Sequence, residues 1–476
     1  MAATDWFVSS PGTKKKCLLL TFQAPRMPGG GGEVRSFWMV RTAASVFDLT
    51  VLNIGGMQGN GRVPPDLRSL CRAVIEPNDE STTTEATLTG GRLAAWLRFC
   101  LTLLMPWQDH YRRFLRLVLQ YGQSTDSSIP GRLVRTAERF WAGICPIPPI
   151  TCFMFDEAWR RIKSAALQTV KEQSFDLVWV EHTLAWPFAE QLLSLPKLRD
   201  VPVLCSGHNV EHLVCQRQAS IEQQPLRSSF YQRQASLMQR MEVRAWQRAQ
   251  LMLQCSEGDA AITRQLVPTA RVQVIGNGVH GQYFQRGDVV SPAAPTTVVF
   301  TAGFGYQPNV EALEWFLREI LPRVRRTLPD VRFLFAGSEA AKAGELLAAE
   351  GRVSLAGVDW ISDPPDIRPA FLQALVYVVP LLCGGGSRLK ILEAMSMRVP
   401  VVSTTVGAEG VPYEHGKHLL IADGAEAFAA AVVQLLCDGE LRGRLSDAAA
   451  EFVRAAYDWE TVCGRLHDVL RSEFCA

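Results

Sequence analysis

The chain has 476 residues, 47% of them hydrophobic and 20% charged, which suits two or three globular domains and excludes general disorder. Its 49 Lys and Arg against 47 Asp and Glu leave a net charge near +2, so no global basic field asks for nucleic acid. The 12 cysteines include no C-x-x-C pair and mostly sit inside apolar runs, which reads as reduced core thiols of a cytosolic protein rather than a disulfide framework or a zinc site.

In chain order, "KCLLLTF" (16–22) reads as a buried strand. The basic start of "TKKKCLLLTF" does not make a secretory signal, because the apolar run is too short and no small-x-small site follows. A glycine loop, "PRMPGGGGEV", then runs into a helix, and "FDLTVLNI" is the next strand. Residues 80–150 break the alternation with a polar "STTTEAT" stretch, aromatic and arginine-rich helices and a "CPIPPIT" loop, and read as an insertion. "FDLVWVEH" (175–182) and "VPVLCSGH" (201–208) are strands ending in polar residues, and "AQLMLQCSE" and "RVQVIGNG" close the first half. Residues 286–296, "RGDVVSPAAPT", have linker composition. A second set follows, "TVVFTAG", "VRFLFAG", "RVSLAG", "LVYVVPL", "VPVVST" and "HLLIA", and residues 458–474 are a final helix. Strands alternating with helices predict parallel, doubly wound sheets. No apolar segment approaches the roughly 20 residues a bilayer span needs.

Three glycine clusters raise the question of phosphate binding. "GNGVHG" (276–281) matches G-x-G-x-x-G after a strand, but "QYFQRGDVVSP" cannot supply the helix a dinucleotide site needs, so it reads as a turn at the domain junction. Gly29, Gly30, Gly31 and Gly32 link a strand to a helix and let a backbone approach a ligand; a plain flexible loop explains them as well. In "LLCGGGSRLKILEAM", Gly384, Gly385 and Gly386 free backbone N–H groups at a helix start. Arg388 and Lys390 stand there against the helix dipole, which a bound diphosphate would offset. Glu393, three residues after Lys390, faces the same side and can accept two hydrogen bonds from a ribose diol. A solvated Lys–Glu pair on a surface helix fits the local pattern equally well.

"GGGSRLKILEAMSMRVPVVSTTVGAEGV" resembles the nucleotide-sugar signature of the retaining GT-B glycosyltransferases of family 4, the glycosyl transferases group 1. "VIGNGVHGQYF" resembles that family's domain junction, "TAGFGYQPNVEALEWF" the start of its second domain, and "YDWETVCGRLHDVL" its terminal helix. "SGHNVEHLV" resembles the H-N-x-E strand end of a bacterial exopolysaccharide-type branch. The likeness is dense from about 200 onward, sparse over 15–60 and absent over 80–150. Two departures stand out: Gly385 occupies the first position of the family's E-x7-E pair, and His280 replaces the junction Asp.

The resemblance implies two doubly wound, Rossmann-like domains facing a cleft: an acceptor-side domain over 1–285, a nucleotide-sugar domain over 286–457, and a terminal helix over 458–476 crossing back to the first. It implies metal-independent transfer of a sugar, with retention, from a nucleoside-diphosphate donor to a glycan or lipid-linked acceptor, with no cofactor. The sequence contains no D-x-D run to hold a metal. His208 would act at the anomeric carbon and Arg388 and Lys390 on the leaving phosphate. Gly384–Gly386, Glu393 and Gly303 would bind the donor, and Gly29–Gly32, Glu181 and His182 would line the acceptor side. For His208 a helix-capping role is the alternative, and Glu211 reads as structural. A sugar-nucleotide epimerase and a binding module that has lost catalysis remain open. Localisation is expected to be cytoplasmic, with a peripheral membrane contact through 93–121, where Arg112, Arg113 and Arg116 flank an apolar face of Tyr111, Phe114 and Val118. Packing of those helices on the first sheet is the bland alternative.

Overall fold

The computed structural model describes residues 14–27, 29, 31–54, 62–77, 150–221, 225–284, 297–383 and 389–475. The chain divides into two compact units. One is Pro77–Arg161, of which the described part is Pro77 and the beginning of a helix over Ile150–Glu172. The expected insertion helices over 93–121 lie outside the described residues. The other unit, 1–76 with 162–476, carries everything below.

Among the described residues this unit holds two all-parallel sheets, of seven and six strands. The first uses β1 (Lys16–Thr21), β2 (Asp48–Asn53), β3 (Ala73–Ile75), β4 (Leu177–Glu181), β5 (Val203–Ser206), β6 (Leu251–Gln254) and β7 (Val272–Val274), in the order β3-β2-β1-β4-β5-β6-β7. The second uses β8 (Thr297–Thr301), β9 (Arg332–Gly337), β10 (Val358–Ser362), β11 (Val376–Val379), β12 (Val401–Ser403) and β13 (Leu420–Ile421), in the order β10-β9-β8-β11-β12-β13. The central strands are continuous Leu/Val/Ile/Phe runs because helices cover both faces of a parallel sheet. In each sheet the order reverses beside the first strand, at β1/β4 and at β8/β11. Ligands of open α/β sheets bind in the crevice beyond the strand C-termini at such a point.

Among the helices around the two sheets are α1 (Gly31–Val46), α2 (Glu211–Ile221), α3 (Pro225–Arg248), α4 (Gln307–Trp315), α5 (Leu389–Ser396) and α6 (Trp459–Phe474). Leu392 and Met395 of α5 are buried in the second core, as the apolar stripe of "LKILEAM" requires. α6 follows the second sheet in sequence, yet its Trp459, Val462, Leu466, Leu470 and Phe474 belong to the core of the first, with Trp459 stacked on Trp38 of α1 at 5.8 Å between centroids. The glycine turn 276–278 lies beneath it; a Cβ at Gly278 would sit 2.7 Å from the Trp459 indole.

One expected strand falls elsewhere. "RVSLAG" (352–357) is irregular, and β10 begins at Val358, after a turn that places Gly357 at φ +65°. The half-exposed "VDWIS" suits an edge strand, with Trp360 stacked on Phe335 of β9 at 5.1 Å.

Candidate active site

Where the first sheet ends, its strands deliver ionisable side chains into a nearly dry space. Register pairs Thr21 of β1 with Glu181 of β4, and Glu181 with Ser206 of β5. Glu181 is 0% exposed, and its Oε1 lies 2.8 Å from Nε2 of His208, which is 7% exposed and stands just beyond β5. His182 follows Glu181 with φ 80° and ψ 119°, an unusual backbone for a residue with a Cβ, and its ring lies 4.3 Å from that of His208. Its Nδ1 accepts from the Leu184 N–H at 3.2 Å, and its Nε2 points toward Glu211 Oε1 at 3.8 Å.

Arg35 of α1 completes this group, and the sequence reading missed it. It is 1% exposed; Nη1 donates to the Gly276 carbonyl at 3.1 Å and to Asn277 Oδ1 at 3.0 Å. Among the described residues its Nε and Nη2, and Oε2 of Glu181, have no hydrogen-bond partner. Burial alone would raise Glu181, but the bond from His208 and the charge of Arg35 hold its carboxyl below the ordinary value. Burial drives His182 well below its ordinary value, helped by His208 and Arg35. Burial also lowers His208, against an upward pull from Glu181.

His208 does not cap α2. That role belongs to Glu242 of α3, which accepts from the backbone N–H groups of Glu211 at 2.7 Å and His212 at 3.2 Å and pairs with His212 Nδ1 at 2.6 Å. Asn209 Nδ2 donates to Glu211 Oε1 at 3.0 Å, and burial pushes the Glu211 carboxyl up to about 7. The H-N-x-E turn is thus a braced corner that fixes the position of His208.

At the second sheet, Lys390 of α5 donates from Nζ to Asn309 Oδ1 at 3.1 Å and lies 4.8 Å from the centroid of the Phe300 ring. Asn309 of α4 in turn donates to the Gly303 carbonyl at 2.8 Å, so Gly303 and Lys390 are tied through one amide. Glu393 is partly buried; desolvation pushes its carboxyl up to about 7, opposed by Lys390. Gly384, Gly385, Gly386 and Arg388 lie outside the described residues, as does Gly30.

The two ends meet. A Cβ at Gly31, the first residue of α1, would lie 3.0 Å from Cδ1 of Leu389, the first residue of α5. A Cβ at Gly32, in the first turn of α1, would strike Gln23 Oε1 at 2.0 Å, and Gly29 is exposed. On the flank, Gln218 of α2 donates to Glu311 of α4 at 3.1 Å, and Arg217 pairs with Glu409, Nη2 to Oε1 at 2.7 Å. Cys383, the last described residue before Leu389, donates to Glu311 Oε2 at 3.3 Å. No group of His, Cys, Asp and Glu among the described residues could hold a metal ion.

Residues 295–438 match the family model for Glycosyl transferases group 1. The match covers the second sheet, including Gly303, Asn309, Lys390 and Glu393. An uncharacterized 44.6 kDa protein in the cps region of Klebsiella pneumoniae is 30% identical over 173 residues, 35% of this chain and 43% of that one. A phosphatidyl-myo-inositol mannosyltransferase of Mycobacterium leprae is 31% identical over 160 residues, 32% and 40% of the two chains. The chain therefore aligns with about two-fifths of the length of these curated relatives. Among solved structures, sucrose-phosphate synthase of Thermosynechococcus elongatus superposes with a TM-score of 0.62 at 15% identity, over 97% of this chain and 100% of the other. The HepE protein of Anabaena, in complex with UDP and glucose, gives 0.55 at 14%, over 96% and 100%. The fold is GT-B.

Proposed function

We propose that the protein is a glycosyltransferase that moves a sugar from a nucleoside-diphosphate donor to a glycan or lipid-linked acceptor. The observation that carries this reading is the close approach of the two sheets' sites, with Gly31 at the start of α1 against Leu389 at the start of α5 and Lys390 and Glu393 further along that helix. A nucleotide sugar needs both: a cation for the diphosphate and a carboxylate for the ribose on one side, and polar groups for the sugar on the other. Lys390, with Arg388, stabilises charge building on the leaving phosphate. Glu393 accepts from the ribose diol. The group 1 match over 295–438 and the UDP held by the HepE protein support a nucleotide-sugar donor. Transfer proceeds with retention and without a metal: the chain has no D-x-D run, and the leaving phosphate assists deprotonation of the acceptor hydroxyl on the same face.

No helix among the described residues is long and apolar enough to cross a membrane. The reading places the enzyme in the cytoplasm, with a lipid-linked acceptor reached through peripheral contact at 93–121.

A thermal-shift screen of UDP-glucose, GDP-mannose and related donors tests the donor class. A specific donor at 100 times its Kd stabilises the fold by about 2.7 kcal/mol. Release of nucleotide only when an acceptor is present separates transfer from epimerisation, and the anomeric configuration of the product reads retention. A melting temperature unmoved by every nucleotide sugar sinks the proposal.

A further inference from the structure

We propose that Glu181 is a positioning residue that fixes His208 as the neutral tautomer protonated at Nε2, so that its bare Nδ1 is the atom offered to a substrate hydroxyl. The hydroxyl contact rests on the glycosyl-transfer reading; the tautomer does not.

An ionised carboxylate only accepts hydrogen bonds, so the 2.8 Å contact between Glu181 Oε1 and His208 Nε2 puts the ring proton on Nε2. A neutral imidazole has no second proton, which leaves Nδ1 with its lone pair. Among the described residues Nδ1 takes no hydrogen bond. Burial, ahead of any charge, keeps the ring neutral beside a carboxylate, and the charged and titratable groups around it are few. Glu181 and His182 come from β4 and its end, Arg35 from α1, and Glu211 stands beyond His182 at the start of α2. Arg35 supplies the positive charge of this buried group, so a second one on His208 would be repelled while Glu181 stays ionised. The neighbouring ring is committed differently: His182 Nδ1 already accepts from the Leu184 N–H. Of the two neighbouring histidines, His208 is the one whose ring lone pair is unused among the described residues. Its turn is held from behind by Glu242, so the lone pair has a fixed direction. Such a nitrogen recognises a hydroxyl and rejects a deoxy or O-methyl analogue, which has no hydrogen to donate.

Long-range proton–nitrogen NMR of the full chain, labelled in histidine, reads the tautomer without ligand or turnover. The His208 signals are those missing from H208Q. Near neutral pH they are expected to show a protonated Nε2 and a bare Nδ1. In E181Q the amide can offer either its oxygen or its NH2, so the pure tautomer gives way to a mixture. Because Glu181 favours the imidazolium, His208 should also titrate at lower pH in E181Q. A wild-type His208 protonated at Nδ1 overturns the proposal, and that spectrum decides even if E181Q fails to fold. A folded E181Q with unmoved tautomer and titration overturns it as well. Adding UDP-glucose or GDP-mannose should shift the Nδ1 signal. A donor that raises the melting temperature yet leaves Nδ1 unmoved overturns the hydroxyl contact. If no donor raises the melting temperature, the donor class fails while the tautomer, read without ligand, is still decided by the spectrum.

Discussion

The two halves of the cleft are finished to different degrees. At the end of the first sheet, Glu181, His182 and His208 are buried and bound to one another or to the backbone, and Glu242 braces their turn. At the end of the second sheet, Lys390 is held by Asn309, but the carboxylate of Glu393 makes no hydrogen bond among the described residues and is desolvated. The first half is braced from behind, although Glu181 Oε2 and Arg35 Nε and Nη2 have no partner among the described residues; the second holds a carboxylate with no hydrogen bond from those residues. Preorganised groups stabilise the fold, whereas an unpaired desolvated carboxylate destabilises it until something binds.

The largest expected effect tests the first half. Glu242→Ala removes the acceptor for two backbone N–H groups and for the buried His212 ring, and should cost roughly 3–5 kcal/mol, read from the urea midpoint. A loss no larger than that of a surface substitution would show that the corner is not braced.

In the second half the sign should reverse. The folded state raises Glu393 to about 7, so between the ordinary carboxylate value and about 7 the native protein holds more protons than the unfolded chain. Stability contributed at this site therefore falls as pH rises through that window and stays low above it. Glu393→Gln removes the cost and should stabilise the ligand-free protein by about 1–2 kcal/mol above neutrality, with little gain in acid. The same variant should bind nucleotide more weakly by roughly 1–3 kcal/mol. Equal melting temperatures of the two proteins across the pH range would make Glu393 an ordinary solvated carboxylate.

The smallest effect concerns the contact between the halves. The Arg217–Glu409 pair is about one-third exposed on both sides, so a double-mutant cycle with Arg217→Gln and Glu409→Gln should give a coupling of ~0.2–1 kcal/mol that shrinks with salt. A much larger coupling would mean that this pair holds the cleft shut.

The sheets were legible because apolar runs such as "CLLLT", "VYVV" and "TVVFT" are short, continuous and bounded by turns. Glu181, His182 and His208 were legible for a related reason: each interrupts such a run at its C-terminal end, where an α/β sheet presents ligand-binding groups. Arg35 was not. In α1 it reads as one more helical arginine, although it falls on the same stripe as Met39, Thr42 and Ala43, and a cation on an apolar stripe is a signal in itself. Glu242 and Asn309 left no local trace, since their partners stand 30 and 81 residues away and only the fold brings them together. "RVSLAG" misled because Val and Leu mark a strand only where a neighbour can pair with them, and here β9 pairs with the segment after Gly357.

The chain leaves the first sheet at Val279 and comes back to it at Asp458, and these two points touch. The Val279 N–H donates to the Tyr457 carbonyl at 2.7 Å, and the Trp459 N–H donates to the Val279 carbonyl at 3.1 Å. Both covalent crossings therefore run through one spot. Motion of one sheet domain against the other should accordingly pivot near Val279 and Asp458. The second crossing also makes the last helix part of the first domain: trimming the chain after Tyr457 would leave the second sheet intact and strip Trp459, Leu466 and Leu470 from the core of the first.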